Sequence, residues 1–128
     1  MSEESEVLRR LYERFNARDM ESVLAVLHED VVWANGWEGG YVYGREGVRD
    51  YWTRQWTVID PRVEPINFST GPEKEIIVDV HQVVRDRNGK LLTDSTVSHI
   101  FRFESGFVKR FDVNDNEPGP RMDTNERE

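Results

Sequence analysis

The sequence predicts an α+β fold, in which three N-terminal helices pack in a curved, mainly antiparallel β-sheet and form an α+β cone or barrel. In the first 60 residues, apolar side chains recur at helical spacing in three segments. Beyond them, apolar and polar residues alternate along extended segments, which the turn sequences Asn88-Gly89 and Ser105-Gly106 separate. Helices followed by a strand meander are typical of α+β domains.

Capping residues and a proline set the limits of the three predicted helices. The first helix follows the N-cap Ser2, has acidic residues in its first turn and ends near Ala17. The second, a short helix, follows the N-cap Asp19. The third begins at Arg45 and ends at Asp60-Pro61, because a residue before proline avoids helical geometry. Its buried side is expected to carry Val48, Tyr51, Trp52 and Gln55.

Three strands are predicted before the long hairpins. Two short ones, at 31–34 and 41–43, border the glycine-rich loop Asn35–Gly40. The third covers 62–68 and contains Pro65, which cannot donate a hydrogen bond to a neighbouring strand. We therefore expect this strand to lie at a sheet edge or to contain a bulge.

The first long hairpin joins a strand at 76–86 to a strand that begins near Leu91. The apolar residues Ile76, Val78, Val80 and Val84 occupy even positions of 76–86, so this row should face the helices. Asn88-Gly89 is a strong signal for a two-residue turn. Such a turn pairs Val78 with His99, Val80 with Val97 and Gln82 with Ser95.

The second hairpin, within 91–114, is expected to place one histidine in an apolar row. A three-residue turn with Gly106 in the left-handed conformation sets His99 opposite Phe111. A two-residue turn would instead bring Arg110 and Asp112 to the buried face. The three-residue register is therefore predicted.

Length and pattern indicate one domain with a short tail. A chain of 128 residues is long enough for a hydrophobic core, and we expect the domain to cover residues 1–116. Residues 117–128 show no periodicity, so we expect a mobile acidic tail.

Charge and composition exclude several classes of partner. The formal net charge is −8, which argues against nucleic acid and anionic membrane partners, since both attract basic surfaces. No apolar run is long enough to span a bilayer, and the N-terminus lacks the pattern of a signal peptide. We expect a cytoplasmic protein. The chain has no cysteine and only three histidines, so we expect no metal site. We expect no organic cofactor either.

Four segments resemble a known family. They are 12–19 (Tyr-Glu-Arg-Phe-Asn-Ala-Arg-Asp), 28–33 (His-Glu-Asp-Val-Val-Trp), 44–48 (Gly-Arg-Glu-Gly-Val) and 99–106 (His-Ile-Phe-Arg-Phe-Glu-Ser-Gly). In order and spacing they resemble the SnoaL-like group of the nuclear-transport-factor-two-like superfamily, over about residues 5–115. The resemblance implies a cone-shaped α+β fold. It leaves the function open, since relatives include polyketide cyclases, ketosteroid isomerases, limonene epoxide hydrolases, dehydratases and non-catalytic binding or dimerisation modules.

Carrying positions over from this resemblance excludes two mechanisms. His99 corresponds to a protonated aspartate that stabilises the enolate oxygen in ketosteroid isomerases, and Asn35 corresponds to their general-base aspartate. An amide cannot accept that proton, and the isomerase tyrosine corresponds to Leu11 rather than Tyr12. The epoxide hydrolases require an arginine and two aspartates, which the predicted inner rows lack. Neither mechanism is expected here.

His99 is the main candidate for chemistry. Histidine is suited to proton transfer near neutral pH, so His99 would act as general base or acid. Asn35, Gln82 and Tyr12 would hold a substrate carbonyl by hydrogen bonds, and we assign His99, Asn35 and Tyr12 as catalytic. The alternative is a core histidine whose hydrogen bond one of these partners satisfies.

Aromatic residues are predicted to line a pocket for an apolar ligand. The alternative for them, especially Trp52, is simple core packing. Trp37 lies in the glycine-rich loop and would act as a lid. The predicted substrate-binding residues are Trp33, Trp37, Trp52, Trp56, Gln82, Val97, Phe101 and Phe111.

Two functional hypotheses follow. The first is a cofactor-independent isomerase, cyclase or dehydratase that acts by proton transfer on an apolar carbonyl-bearing substrate. The second is a non-catalytic ligand-binding or dimerisation module. An open cavity that reaches His99 favours the first, and an interior filled by tryptophans favours the second. Asp79 and His81 lie on the outer sheet face, where we expect a homodimer surface rather than a catalytic pair.

Overall fold

The structure, a computed structural model, describes residues 3–36 and 38–114. The predicted N-cap Ser2, the predicted lid Trp37 and the predicted tail lie outside the described residues. The helices are α1 (Glu3–Asn16), α2 (Met20–Leu24) and α3 (Gly44–Val58). The strands are β1 (Leu27–Ala34), β2 (Tyr41–Tyr43), β3 (Ile59–Thr70), β4 (Ile76–Asp86), β5 (Leu91–Glu104) and β6 (Phe107–Asn114).

The strands form one mixed sheet in the order β2-β1-β6-β5-β4-β3. The β1–β6 pair is parallel and every other pair is antiparallel. Buried apolar residues of α1 and α3 form one core cluster with those of the strands. The predicted α+β architecture is confirmed: helices packed on the inner face of a curved, mainly antiparallel sheet.

The helix limits follow the predicted signals with small shifts. Asp19 caps α2, because its carboxylate accepts hydrogen bonds from the Ser22 backbone N–H at 3.3 Å and the Ser22 hydroxyl at 2.8 Å. The third helix ends at Val58 rather than at Asp60, and β3 begins at the next residue. Among the described helices, none is both long and apolar enough to cross a membrane.

The edge strand β3 contains the predicted irregularity. It is the last strand of the sheet, and its pairing with β4 shifts between Pro65 and Asn67. A proline at this place costs the sheet little, because the ladder is already interrupted by the bulge.

The β4–β5 register is as predicted, although the turn is not. Val78 pairs with His99 and Val80 with Val97. The Asp86 N–H donates to the Lys90 carbonyl oxygen at 2.8 Å, so the loop has three residues, 87–89, rather than two. A shift in pairing after Val84 offsets the extra loop residue and restores the predicted register.

The β5–β6 turn was predicted wrongly. Ser105 and Gly106 form a two-residue turn, with φ angles of 54° and 85°, and Glu104 pairs with Phe107. His99 consequently pairs with Val113, while Phe111 pairs with Phe101.

A bulge explains why the short turn does not bury charge. The pairing of β5 with β6 shifts between Arg102 and Phe103, which inserts one residue into β6. Phe111 is therefore buried, and its neighbours Arg110 and Asp112 face away from the core and bind each other at 2.8 Å. His99 and Phe111 do share the inner face as predicted, although they are not paired, whereas nearer the turn Val108 rather than Phe107 is buried.

The left-handed turn gives a test of this hairpin. Ser105→Asn should raise the free energy of unfolding by about 0.5 kcal/mol, because asparagine tolerates a positive φ better than serine does. Ser105→Val should lower it by a larger amount, since a β-branched residue is strained there. Urea denaturation measures both. Equal stabilities for the two variants would contradict the two-residue turn.

Candidate functional site

A cavity of about 880 Å³ lies between the inner face of the sheet and helices α1 and α3. The tryptophans form part of its wall and do not fill it. The predicted site residues that line it are Tyr12, Trp33, Asn35, Trp52, Gln82, Val97, His99, Phe101 and Phe111.

Tyr12 and His99 form a hydrogen-bonded pair in the cavity wall. Tyr12 lies on the buried stripe of α1, and His99 lies in the inner row of β5. The Tyr12 hydroxyl is 2.7 Å from His99 Nδ1, and the two rings are nearly parallel, with centroids 5.8 Å apart. The side chains are 2% and 6% exposed, so the bond is shielded from bulk water.

Burial keeps both members of this pair neutral. Removal from water disfavours a charged ring, which lowers the pKa of His99 to about 3. The same effect raises the pKa of the Tyr12 hydroxyl well above its usual value. Near neutral pH the pair is therefore a neutral imidazole and a neutral phenol. The imidazole carries one proton, on either Nδ1 or Nε2.

The position of that proton decides what the pair offers a ligand. When Tyr12 donates to Nδ1, the proton is on Nε2, which then acts as a donor. When Nδ1 donates to Tyr12, Nε2 is an acceptor and the Tyr12 hydrogen is available to another group. The hydrogen bond between Tyr12 and His99 uses Nδ1 and does not involve Nε2. Either tautomer thus leaves Nε2 for a ligand.

Stacked aromatic rings extend from His99 along the wall. The edge of Phe111 meets His99 with centroids 4.8 Å apart, and Phe111 stacks on Trp33 at 4.1 Å. Trp33 in turn contacts Trp52 of α3 edge to face at 5.3 Å. Such rings present a rigid apolar surface suited to a flat ligand.

Asn35 lines the cavity, but its amide organises the adjoining loop. Its Nδ2 donates to Glu38 Oε1 at 2.9 Å, and its Oδ1 accepts from the Glu38 backbone N–H at 2.7 Å. Arg54 of α3 donates to the same Glu38 carboxylate at 3.1 Å. These hydrogen bonds lower the pKa of Glu38, that from Asn35 first and that from Arg54 second. The predicted contact between Asn35 and a substrate carbonyl stays a prediction.

Comparison with known proteins agrees with this architecture. The model of the SnoaL-like domain family matches residues 8–111. The chain belongs to this family. No curated protein matches the sequence.

Solved structures of similar fold cover most of this SnoaL-like domain. An NTF2-like protein of unknown function from Burkholderia pseudomallei is 29% identical, with a TM-score of 0.79, over 91% of this chain and 92% of that one. TerC, co-crystallised with polyporic acid, is 22% identical, with a TM-score of 0.78, over 90% and 92%. A putative polyketide cyclase from Pseudomonas putida is 18% identical, with a TM-score of 0.74, over 87% and 90%. The last two likenesses concern the fold alone.

Trp56 was wrongly predicted to line the cavity of the SnoaL-like domain. It lies one helical turn after Trp52 and stacks on its far side, with centroids 5.8 Å apart. Phe15 contacts its edge at 5.4 Å, and the Arg18 guanidinium lies 5.1 Å from its ring centroid. Trp56 therefore supports the wall from behind, packed against the end of α1.

On α3, two polar residues of the wall were missed as site residues. Tyr51 and Gln55 lie one turn apart on the buried side of α3, and both line the cavity. Gln55 Nε2 donates to the Tyr51 hydroxyl at 3.0 Å. Their helical spacing did reveal which side they face, and an amide among buried aromatic residues was the signal that could have assigned a role.

On the outer sheet face, Asp79 and His81 form hydrogen bonds with different partners rather than with each other. Asp79 accepts a hydrogen bond from Ser98 at 3.1 Å, and His81 Nε2 lies 2.6 Å from Asp94 Oδ1. Neither Asp79 nor His81 lines the cavity. In the part of the chain that the structure describes, no cluster of three or more His, Cys, Asp or Glu side chains could hold a metal ion.

The buried histidine predicts a particular pH dependence of stability. As the pH falls from 6.5 towards about 3, unfolded His99 binds a proton and folded His99 does not. The stability present above pH 6.5 is therefore lost through this window, by at most about 1.4 kcal/mol per pH unit. Urea denaturation of the wild type and His99→Gln, compared across pH, isolates this contribution because the carboxylates are common to both. Parallel curves would show that His99 titrates normally.

Proposed function

We propose that this SnoaL-like protein binds a flat, apolar, carbonyl-bearing small molecule and transfers a proton at the carbon next to the carbonyl. This makes it a cofactor-independent isomerase, cyclase or dehydratase. The observation that carries the proposal is the neutral His99–Tyr12 pair in the wall of an aromatic cavity.

The size and lining of the cavity support a small-molecule ligand. A volume of about 880 Å³ is within the range of small-molecule sites, which combine apolar walls with a few polar groups. The stacked rings of Phe111 and Trp33 provide such a wall beside His99. TerC, a protein of similar fold, was co-crystallised with polyporic acid, which also favours a small organic ligand here.

In the proposed reaction, His99 Nε2 accepts the proton from the substrate carbon. The electrons of the broken C–H bond form the carbon–carbon double bond of an enolate, and the negative charge moves to the carbonyl oxygen. Nδ1 keeps its proton and donates to Tyr12, while the Tyr12 hydroxyl donates to the enolate oxygen. Returning the proton to another carbon isomerises the substrate. Expulsion of a β-hydroxyl as water dehydrates it, and attack on a second carbonyl closes a ring.

The low pKa of His99 restricts the substrates that it can deprotonate. An isolated imidazolium is disfavoured in this cavity, which is why the pKa lies at about 3. The enolate forms beside the imidazolium and supplies a compensating negative charge, so the two charges stabilise each other. Ketones with activated C–H groups, such as 1,3-dicarbonyl compounds and aryl-activated ketones, are therefore favoured.

The second candidate is a ligand-binding module without catalysis. It is favoured by the fact that Tyr12 already satisfies one nitrogen of a weakly basic His99. In that case Tyr12 donates to Nδ1, and Nε2–H donates to the carbonyl of a ligand that leaves unchanged. Nitrogen NMR shifts of His99 distinguish the two tautomers, because a protonated and an unprotonated ring nitrogen resonate far apart.

Hydrogen–deuterium exchange at carbon tests the catalytic proposal. The wild type in deuterium oxide should accelerate exchange of the acidic C–H groups of β-tetralone, followed by proton NMR. His99→Gln should reduce the acceleration by about 100-fold because the base is lost, and Tyr12→Phe by about tenfold because one hydrogen bond is lost. His81→Gln, on the outer face, is the matched control and should exchange like the wild type. Binding without accelerated exchange would favour the module.

A homodimer through the outer sheet face is part of the proposal. The half-buried Ile77 and Ile100 are cross-strand partners there and present apolar surface outside the core cluster. A two-fold dimer would bury the same patch on both copies. The cytoplasmic location expected from the sequence stays a prediction.

Sedimentation at micromolar concentration tests the assembly. The wild type should sediment as a dimer, and Ile100→Glu as a monomer, because a carboxylate in each half of the interface would be buried without a partner. An unchanged circular dichroism spectrum would show that the variant is folded. A wild type that sediments only as a monomer would contradict the dimer.

A further inference from the structure

Gln55 has an unused hydrogen-bonding position in the cavity wall. The residue is 8% exposed and lies on the buried side of α3. Its Nε2 donates to the Tyr51 hydroxyl at 3.0 Å. Its Oε1 is enclosed and has no hydrogen-bond partner among the described residues. Gln55 lines the cavity, so a small rotation of its amide would bring this oxygen to a bound ligand.

We infer that Gln55, held by Tyr51, is a specificity residue that binds a hydroxyl group of the ligand. This rests on the proposed function, in which the carbonyl of the same ligand lies at His99–Tyr12. It adds a second polar position on a different wall of the cavity. The ligand class becomes a hydroxyl-bearing ketone rather than an apolar ketone.

The surroundings of Gln55 argue against a purely structural role. Its neighbours on the buried side of α3, Val48 and Trp52, are fully packed in the core. A leucine would continue this apolar side without an unpaired atom of its own, at the loss of one hydrogen bond to the Tyr51 hydroxyl. Buried amides in proteins are nearly always paired, so an amide that keeps one atom unpaired is a liability to folding unless a ligand uses it.

A hydroxyl is the group that suits this amide in either orientation. With Nε2 on Tyr51, Oε1 accepts a hydrogen from the ligand hydroxyl. With the amide reversed, Oε1 accepts from Tyr51 and Nε2 donates to the ligand hydroxyl oxygen. Because the free atom is enclosed, ligand binding requires a small rotation about the terminal side-chain torsion, which is soft in glutamine, with the other amide atom kept within reach of Tyr51.

The carbonyl and hydroxyl positions are joined by the aromatic wall. From His99 the ring contacts run through Phe111 and Trp33 to Trp52, which precedes Gln55 by three residues on α3. A ligand flat on these rings can carry its carbonyl at His99 and a hydroxyl at the α3 end. The two polar groups then fix its direction in the cavity.

Matched ligands and variants test the inference. Binding of β-tetralone and of its ring-hydroxylated derivatives, which differ in the position of the hydroxyl group, is measured by quenching of tryptophan fluorescence. The proteins compared are the wild type, Gln55→Leu and the control Thr53→Val. Thr53 is exposed on the same helix and is outside the cavity wall. At least one hydroxylated isomer should bind the wild type about tenfold more tightly than the parent ketone. Gln55→Leu should abolish this preference, measured within each variant as the ratio of the affinities for the hydroxylated ketone and the parent, whereas Thr53→Val should retain it.

The outcomes separate this inference from the proposed function. Equal binding of the parent and all isomers, or a preference that survives in Gln55→Leu, overturns the hydroxyl site while exchange of β-tetralone still supports the proposed function. A preference lost in Tyr12→Phe but not in Gln55→Leu also overturns it. If no ketone binds the wild type, both proposals fail. Ligand-free Gln55→Leu should melt at the wild-type temperature or higher, and a clearly lower melting temperature would assign the amide a structural role and overturn the inference.

Discussion

The hydrogen bond between Tyr12 and His99 is the constraint on which the site depends. It joins the first helix to the central part of the sheet across 87 residues of sequence, and both groups are buried. Loss of either partner would leave the other unpaired, at a cost of about 1–3 kcal/mol. The surrounding rings of Phe101 and Phe111 exclude water, so they keep the bond short and both groups neutral. The same exclusion makes the cavity suited to apolar ligands.

Strand periodicity predicted which side chains share a face, but it could not predict how the turns are built. Within an uninterrupted strand, the face of a residue depends on whether its position is odd or even, and this held for His99 and Phe101. In β6 the bulge shifts the buried row from the even position of Val108 to the odd position of Phe111. The cross-strand partner of a residue depends on the length of the loop, and the predicted length was wrong by one residue in both long hairpins. Each error is offset by a bulge, since burying charges such as Arg110 would cost far more than one irregular pair. Bulges leave no clear signal in a single sequence.

The candidate site was predictable to the extent that helices and strands position it. Tyr12 could be placed by its helical stripe and His99 by its alternating strand, yet their direct contact depends on how α1 lies on the sheet. Trp56 shows what helical spacing cannot predict. The spacing gives the direction of a side chain, but it does not show whether a cavity or another side chain lies there; Trp56 packs against Phe15 and Trp52. Gln55 was placed on the correct side, but that its Oε1 is unpaired emerges only from the packed structure.

Because burial keeps His99 neutral, it is a weak base and can deprotonate only substrates with activated C–H groups. A histidine with a pKa of about 3 accepts protons poorly, so His99 stays neutral over the physiological pH range. A ligand that develops negative charge beside Nε2 changes this, because attraction between opposite charges is strong where water is excluded. His99 therefore acts as a base only when the bound substrate can form an enolate that the imidazolium stabilises. An apolar ketone with unactivated C–H groups would bind the same wall and leave unchanged, so catalysis and simple binding can be two outcomes of one site, chosen by the acidity of the ligand.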